Sequence, residues 1–176
     1  MRAIIAILFM LIPLSGSYAQ MLSLNIEAPP ELEITVLSDG VLDYGNLLQN
    51  QGQVQIMLND PGTEVISIEG HFNRSVTVTI TPPAALQLDA SNTLPFTLGA
   101  AYANDEENNK ADATLFSGNT ATFAIREGGG PPPRGGRGGG GPPTATAYLY
   151  IFGDINVGNV NAGTYSGIIN VFVEYE

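Results

Sequence analysis

The stretch Ala147–Glu176, AYLYIFGDINVGNVNAGTYSGIINVFVEYE, decides the fold. It holds two runs rich in β-branched and aromatic residues joined by a Gly/Asn-rich connection, the pattern of paired strands. In the second run Tyr165, Gly167, Ile169, Val171, Val173 and Tyr175 fall on one face, while Ser166, Asn170 and Glu174 share the other with Ile168 and Phe172. One face is built for a core. In the first run, Leu149 and Ile151 on the core side turn Tyr148, Tyr150 and Phe152 outward, as a band with Phe172 and Ile168 that either stacks on sugar rings or another subunit or is covered by a loop of its own chain, such as the Gly/Pro-rich one. No residue follows Glu176, so the terminal strand is expected to leave an edge that no later segment of its chain can pair with.

Working back from this stretch, short alternating runs recur between turn residues. Leu32, Ile34 and Val36 alternate before Ser38-Asp39-Gly40, Leu42 to Tyr44 precedes Gly45, and Val54, Ile56 and Leu58 precede Asn59-Asp60-Pro61-Gly62. Ile66 and Ile68 lead to Gly70, and Val76, Val78 and Ile80 alternate with outward Thr77, Thr79 and Thr81 until Pro82-Pro83. Leu94, Phe96, Leu98 and Ala100 form a further run, and Ala121, Phe123 and Ile125 another beyond the loop 104–119, whose polar part Asn104–Asp112 is read as a solvated hairpin tip. No helical period competes, so the expectation is a single all-β sandwich of about eight or nine strands.

Three blocks carry a resemblance. Gly153–Tyr175 (GDINVGNVNAGTYSGIINVFVEY), Leu42–Asn46 (LDYGN) and Gly70–Pro83 (GHFNRSVTVTITPP) resemble the bacterial secreted domain-of-unknown-function family 4402, distantly similar to fimbrial pilins. The resemblance implies an immunoglobulin-like, Greek-key β-sandwich with no catalytic residues.

The 176 residues suffice for one domain with appendages, and a hydrophobic content of 44% suits a chain with a real core. Seventeen Asp+Glu against six Lys+Arg give a net charge of -11, which disfavours nucleic acid and anionic membranes as partners. Cysteine is absent, which excludes disulfides, thiolate metal sites and a cysteine nucleophile. Arg2, the apolar run Ala3–Leu14 and the small residues Ser17 and Ala19 read as a signal peptide over 1–19, leaving a secreted protein that begins at Gln20, with no membrane contact afterwards.

The expected mature chain has two parts. Residues 20–30 form an amphipathic strand, with Leu22, Leu24 and Ile26 alternating against Ser23, Asn25 and Glu27, set apart by the stiff joint Pro29-Pro30. Residues 31–176 form the sandwich, interrupted at 128–143 by GGGPPPRGGRGGGGPP, whose nine glycines and five prolines predict an extended excursion. Arg134 and Arg137 within it are a thin electrostatic footprint for RNA and are read instead, with Tyr148, Tyr150, Phe152 and Phe172, as lateral contacts between subunits.

Candidate chemistry is sparse. The only histidine, His71, has no elbow serine or cysteine to activate, so no enzyme is expected and His71 is read as structural. Asp39, Asp43, Asp60 and Asp154 supply hard oxygens at turns and leave calcium open as a cofactor, although turns favour aspartate for backbone reasons alone. The leading expectation is an extracellular filament or matrix subunit that polymerises with copies of itself. Leu22, Leu24 and Ile26 of one copy would enter a groove edged by Ile169, Val171, Val173 and Tyr175 of the next. The alternative is a stand-alone secreted module that holds glycan or calcium and completes its own sheet. Secreted material is expected to begin at Gln20 by intact-mass measurement, and retention of Met1 would contradict the leader assignment.

Overall fold

A computed structural model describes residues 19–126 and 143–176, so the leader 1–18 and the Gly/Pro-rich stretch 127–142, with Arg134 and Arg137, lie outside the described residues. The fold is all-β. In chain order the strands are β1 (Ala19–Glu27), β2 (Glu33–Val36), β3 (Val41–Asn46), β4 (Gly52–Ile56), β5 (Glu64–His71) and β6 (Ser75–Thr81). They continue with β7 (Ala85–Asp89), β8 (Asn92–Ala103), β9 (Thr114–Leu115), β10 (Thr120–Ala124), β11 (Thr144–Val157) and β12 (Tyr165–Tyr175). The only helical turn among the described residues is a 3-10 turn at Lys110–Asp112.

The strands form two sheets with the core between them, a sandwich-like arrangement. The first runs β3-β1-β12-β6-β10, with β7 beside the start of β12. In the second, β11 is central, flanked by β8 and β9 on one side and on the other by β5 and then β4, with β2 outside β5. The sheets are continuous through β8, whose Asn92–Pro95 end pairs with β7 while Phe96–Ala103 pair with β11. Pro95 sits at this change of partner, where a missing N–H costs least. All pairs are antiparallel except β1 with β12, which run parallel.

Alternation decides what each strand buries. On β12, Tyr165, Ile169, Val171 and Val173 are buried while Ser166, Asn170 and Glu174 are exposed, as the period-two pattern requires. On β6, Val76, Val78 and Ile80 point inward, and the outward Thr77 hydroxyl lies 2.8 Å from that of Thr122 on β10. Leu22, Ile80, Leu86 and Ile169 from the first sheet meet Ile66, Ile68, Leu149 and Ile151 from the second in one buried cluster.

Beside the N-terminal strand β1, eleven strands are present rather than the expected eight or nine, because β7 and β9 escape the pattern. The five residues of β7 begin one residue after Pro82-Pro83, and β9 is only two residues long inside a polar loop. That loop is not a solvated tip. It folds over the outer face of β11, where Tyr150 is fully buried and donates its hydroxyl to Asn108 Oδ1 at 3.0 Å.

Candidate functional site

β1 is the element that the sequence set apart, and the structure places it inside the first sheet. Its residues Gln20–Glu27 pair in parallel with Tyr165–Phe172 of β12, Leu24 opposite Ile169 and Ile26 opposite Val171. Its other edge pairs antiparallel with β3, Leu22 opposite Leu42. The expected partner strand and the expected buried face are therefore both present, but within one chain. The expectation of a free edge on β12 is corrected: β1 takes one side, and β6 and β7 take the other. Pro29-Pro30 does not hold β1 away. It forms a bend, with the Leu32 N–H donating to the Pro29 carbonyl at 3.0 Å, that carries the chain from one sheet to the other. β1 ends opposite Phe172, so of the four proposed edge residues only Ile169 and Val171 lie along it, while Val173 and Tyr175 lie beyond its end.

Leu22 is the anchor. It is fully buried, whereas Leu24 and Ile26 are half-buried against the same core. Its slot exists because position 167 is glycine. A Cβ there would lie 2.9 Å from Leu22 Cδ2 and 3.0 Å from Pro83 Cγ, so any larger residue would displace the leucine or the proline wall. On the outer face, Asn25 Nδ2 donates to Asn170 Oδ1 at 2.9 Å between directly paired positions. Sequence reading missed Gly167 and Pro83, because nothing in an alternating pattern distinguishes a glycine that makes room from one that merely fills its turn on the core face.

A second support comes from the other sheet. The Leu24 N–H donates to the Gly40 carbonyl at 3.1 Å, and the Gly40 N–H in turn donates to Glu64 Oε2 at 2.9 Å. Ser38 Oγ also donates to this carboxylate. Glu64, at the start of β5, is buried, and burial first, then the neighbouring Asp39 carboxylate, raises its pKa above the ordinary value, against the hydrogen bonds from Ser38 and Gly40. At the far end, Tyr175 Oη accepts the His71 N–H at 2.8 Å and donates to the Glu31 carbonyl at 3.4 Å, just past the Pro29-Pro30 bend. Arg74 lies 3.8 Å above the Tyr175 ring and the His71 ring stacks near it, which gives His71 a packing role.

The remaining predicted residues are not brought to one place. Tyr148, Tyr150 and Phe152 are on the outer face of the second sheet, whereas Phe172 is on the outer face of the first, 43% exposed beside Ile168 at 57%. They do not form one band, and Tyr150 is unavailable for lateral contact, its hydroxyl pKa pushed up to about 12 first by burial and then by Tyr148 and Asp105. Asp39, Asp43 and Asp60 each accept a nearby backbone N–H, from Val41, Gly45 and Met57. Asp60 and Asp154 do share a cleft of about 570 Å³ between the β4–β5 turn and β11. Among the described residues no three His, Asp or Glu side chains converge as metal ligands.

Two outcomes follow. Leu22→Ala is expected to cost about 3 kcal/mol, lowering the melting temperature by roughly 6–12 °C, and adding Gly167→Ala should recover part of that loss by filling the slot. For Glu64, a raised folded pKa means that its contribution is fully present below the ordinary value of 4.5 and is lost as pH rises through the folded value. Melting curves from pH 4 to pH 7 should show the parent losing stability relative to Glu64→Gln, and a constant difference would rule this out. No protein-family model matches the chain, and no curated protein matches it.

Proposed function

We propose that the protein is a secreted, immunoglobulin-like structural subunit that builds an extracellular filament or surface matrix by exchanging β1 between copies. The observation that carries this reading is the seat of β1: a complete strand, paired on both edges and anchored by Leu22, joined to the rest only through the short bend at Pro29-Pro30. A neighbour's β1 would make the same contacts in the same seat, so exchange costs no contact, and only the bend and the chain concentration decide between closed and exchanged forms. Two consecutive prolines stiffen the bend and limit the conformations in which β1 folds back on its own domain. The leader-like start supports the extracellular setting. The second reading, a stand-alone binding module, is favoured by the closure of β1 in its own sheet, and the same experiment separates the two.

Because the chain has no cysteine, a disulfide can report which copy supplies β1. Asn25 and Asn170 are directly paired on the exposed face, within the range a disulfide spans. Chains carrying only Asn25→Cys are mixed with chains carrying only Asn170→Cys, concentrated, oxidised and run on a non-reducing gel. Exchange predicts a covalent pair of the two chains, and a chain carrying both substitutions should give a covalent ladder. A double variant that closes only on itself, with no mixed pair at any concentration, would leave the stand-alone module.

A further inference from the structure

The cleft shared by Asp60 and Asp154 is lined mainly by apolar side chains, with Gln55, Asn59 and Thr97 as its uncharged polar residues. Met57 and Leu115 form its walls at 58% and 63% exposure, with Leu98 and Phe152 alongside. Phe152 lies across Gly99, its directly paired neighbour on β8, where a Cβ would come within 2.3 Å of the ring. The ring is therefore fixed in place by a position that has no side chain to displace it. Exposed apolar walls with two carboxylates fit a partner that is apolar along its length and carries cations.

This chain contains such a segment. Of its six cationic residues, two lie in the stretch PPPRGGR at 131–137, whose composition pairs three apolar prolines with two arginines. We propose that the cleft receives this segment from a second copy of the chain, as the lateral contact between subunits. The inference deepens the subunit reading and rests on it. A second copy is favoured over the same chain by reach. Pro143 is fixed by the Phe72 N–H at 2.9 Å, and nine residues of β11, about 30 Å, separate it from Phe152. The other flank, Arg126, is tied to Asn104. The sixteen residues between 126 and 143 would have to run fully taut, since eight residues span at most about 27 Å, to lay their centre on their own cleft and return. A neighbour's cleft imposes no such limit.

The test uses a fluorescein-labelled synthetic peptide of residues 128–143, titrated against the full chain by fluorescence anisotropy. Saturable binding is expected, weakening at least tenfold with Met57→Ser plus Leu115→Ser, with Asp60→Asn plus Asp154→Asn, or with a peptide carrying Arg134→Gly and Arg137→Gly. It should also weaken as salt is raised. Both walls are exposed residues, so their variants should melt as the parent does. Binding that ignores these substitutions, absence of binding at millimolar peptide, or a cleft that takes a soluble oligosaccharide instead would each overturn the proposal. Disulfide exchange between Asn25→Cys and Asn170→Cys chains does not involve the cleft. Exchange without peptide binding thus rejects the cleft contact alone, and peptide binding without exchange rejects strand donation alone.

Discussion

The structure depends on one strand inserted between two others. β3 has no sheet partner but β1 among the described residues, and one whole edge of β12 is covered by nothing else along Tyr165–Phe172. Removing β1 would therefore leave two rows of backbone donors and acceptors unpaired and would open the core at Leu22. Hydrophobic burial and ladder hydrogen bonding are coupled here. The Leu22 side chain enters the core only where the backbone on either side of it is paired, and Gly167 sets the depth to which it can go.

This seat is also braced from outside its own sheet. Glu64 belongs to β5 in the second sheet, yet its carboxylate holds the Ser38–Gly40 turn whose carbonyl accepts the Leu24 N–H. Tyr175 does the equivalent at the other end, tying the Pro29-Pro30 bend to the start of the β5–β6 connection. The first strand is thus fixed at its centre through a carboxylate whose ionised form is penalised by burial, and past its end through the Tyr175 hydroxyl.

Much of the fold was legible because alternation is a local property. The inward faces of β1, β6 and β12 can be read from Leu22-Leu24-Ile26, Val76-Val78-Ile80 and Ile169-Val171-Val173 without knowing their partners, and the structure buries or half-buries those side chains. Partner identity is not local, and the sequence leaves it open. An amphipathic strand followed by two prolines has the same pattern whether it leaves its domain or bends back into it, because Pro29-Pro30 specifies backbone angles and not direction. The same limit left the cover over Tyr150 undecided: Asn104–Asp112 is as polar as a solvated loop, and only its course across β11 shows that Asn108 meets a buried hydroxyl. Parallel pairing of β1 with β12 was likewise invisible, since side-chain alternation is identical in either direction.

The order in which the chain is made bears on which copy fills the seat. Asn25 and Asn170 stand 145 residues apart, so β1 is synthesised first and its principal partner last. Until β12 exists, Leu22, Leu24 and Ile26 have no seat of their own, and closing so long a loop is slow compared with pairing neighbouring strands. In dilute solution the tether still favours self-closure, because a strand linked through a few residues sees its own seat at an effective concentration of about millimolar. Crowding many newly made chains at one surface raises the supply of foreign seats. Under the exchange reading, the long separation between β1 and β12 keeps the first strand available to a neighbour for longest when neighbours are most concentrated.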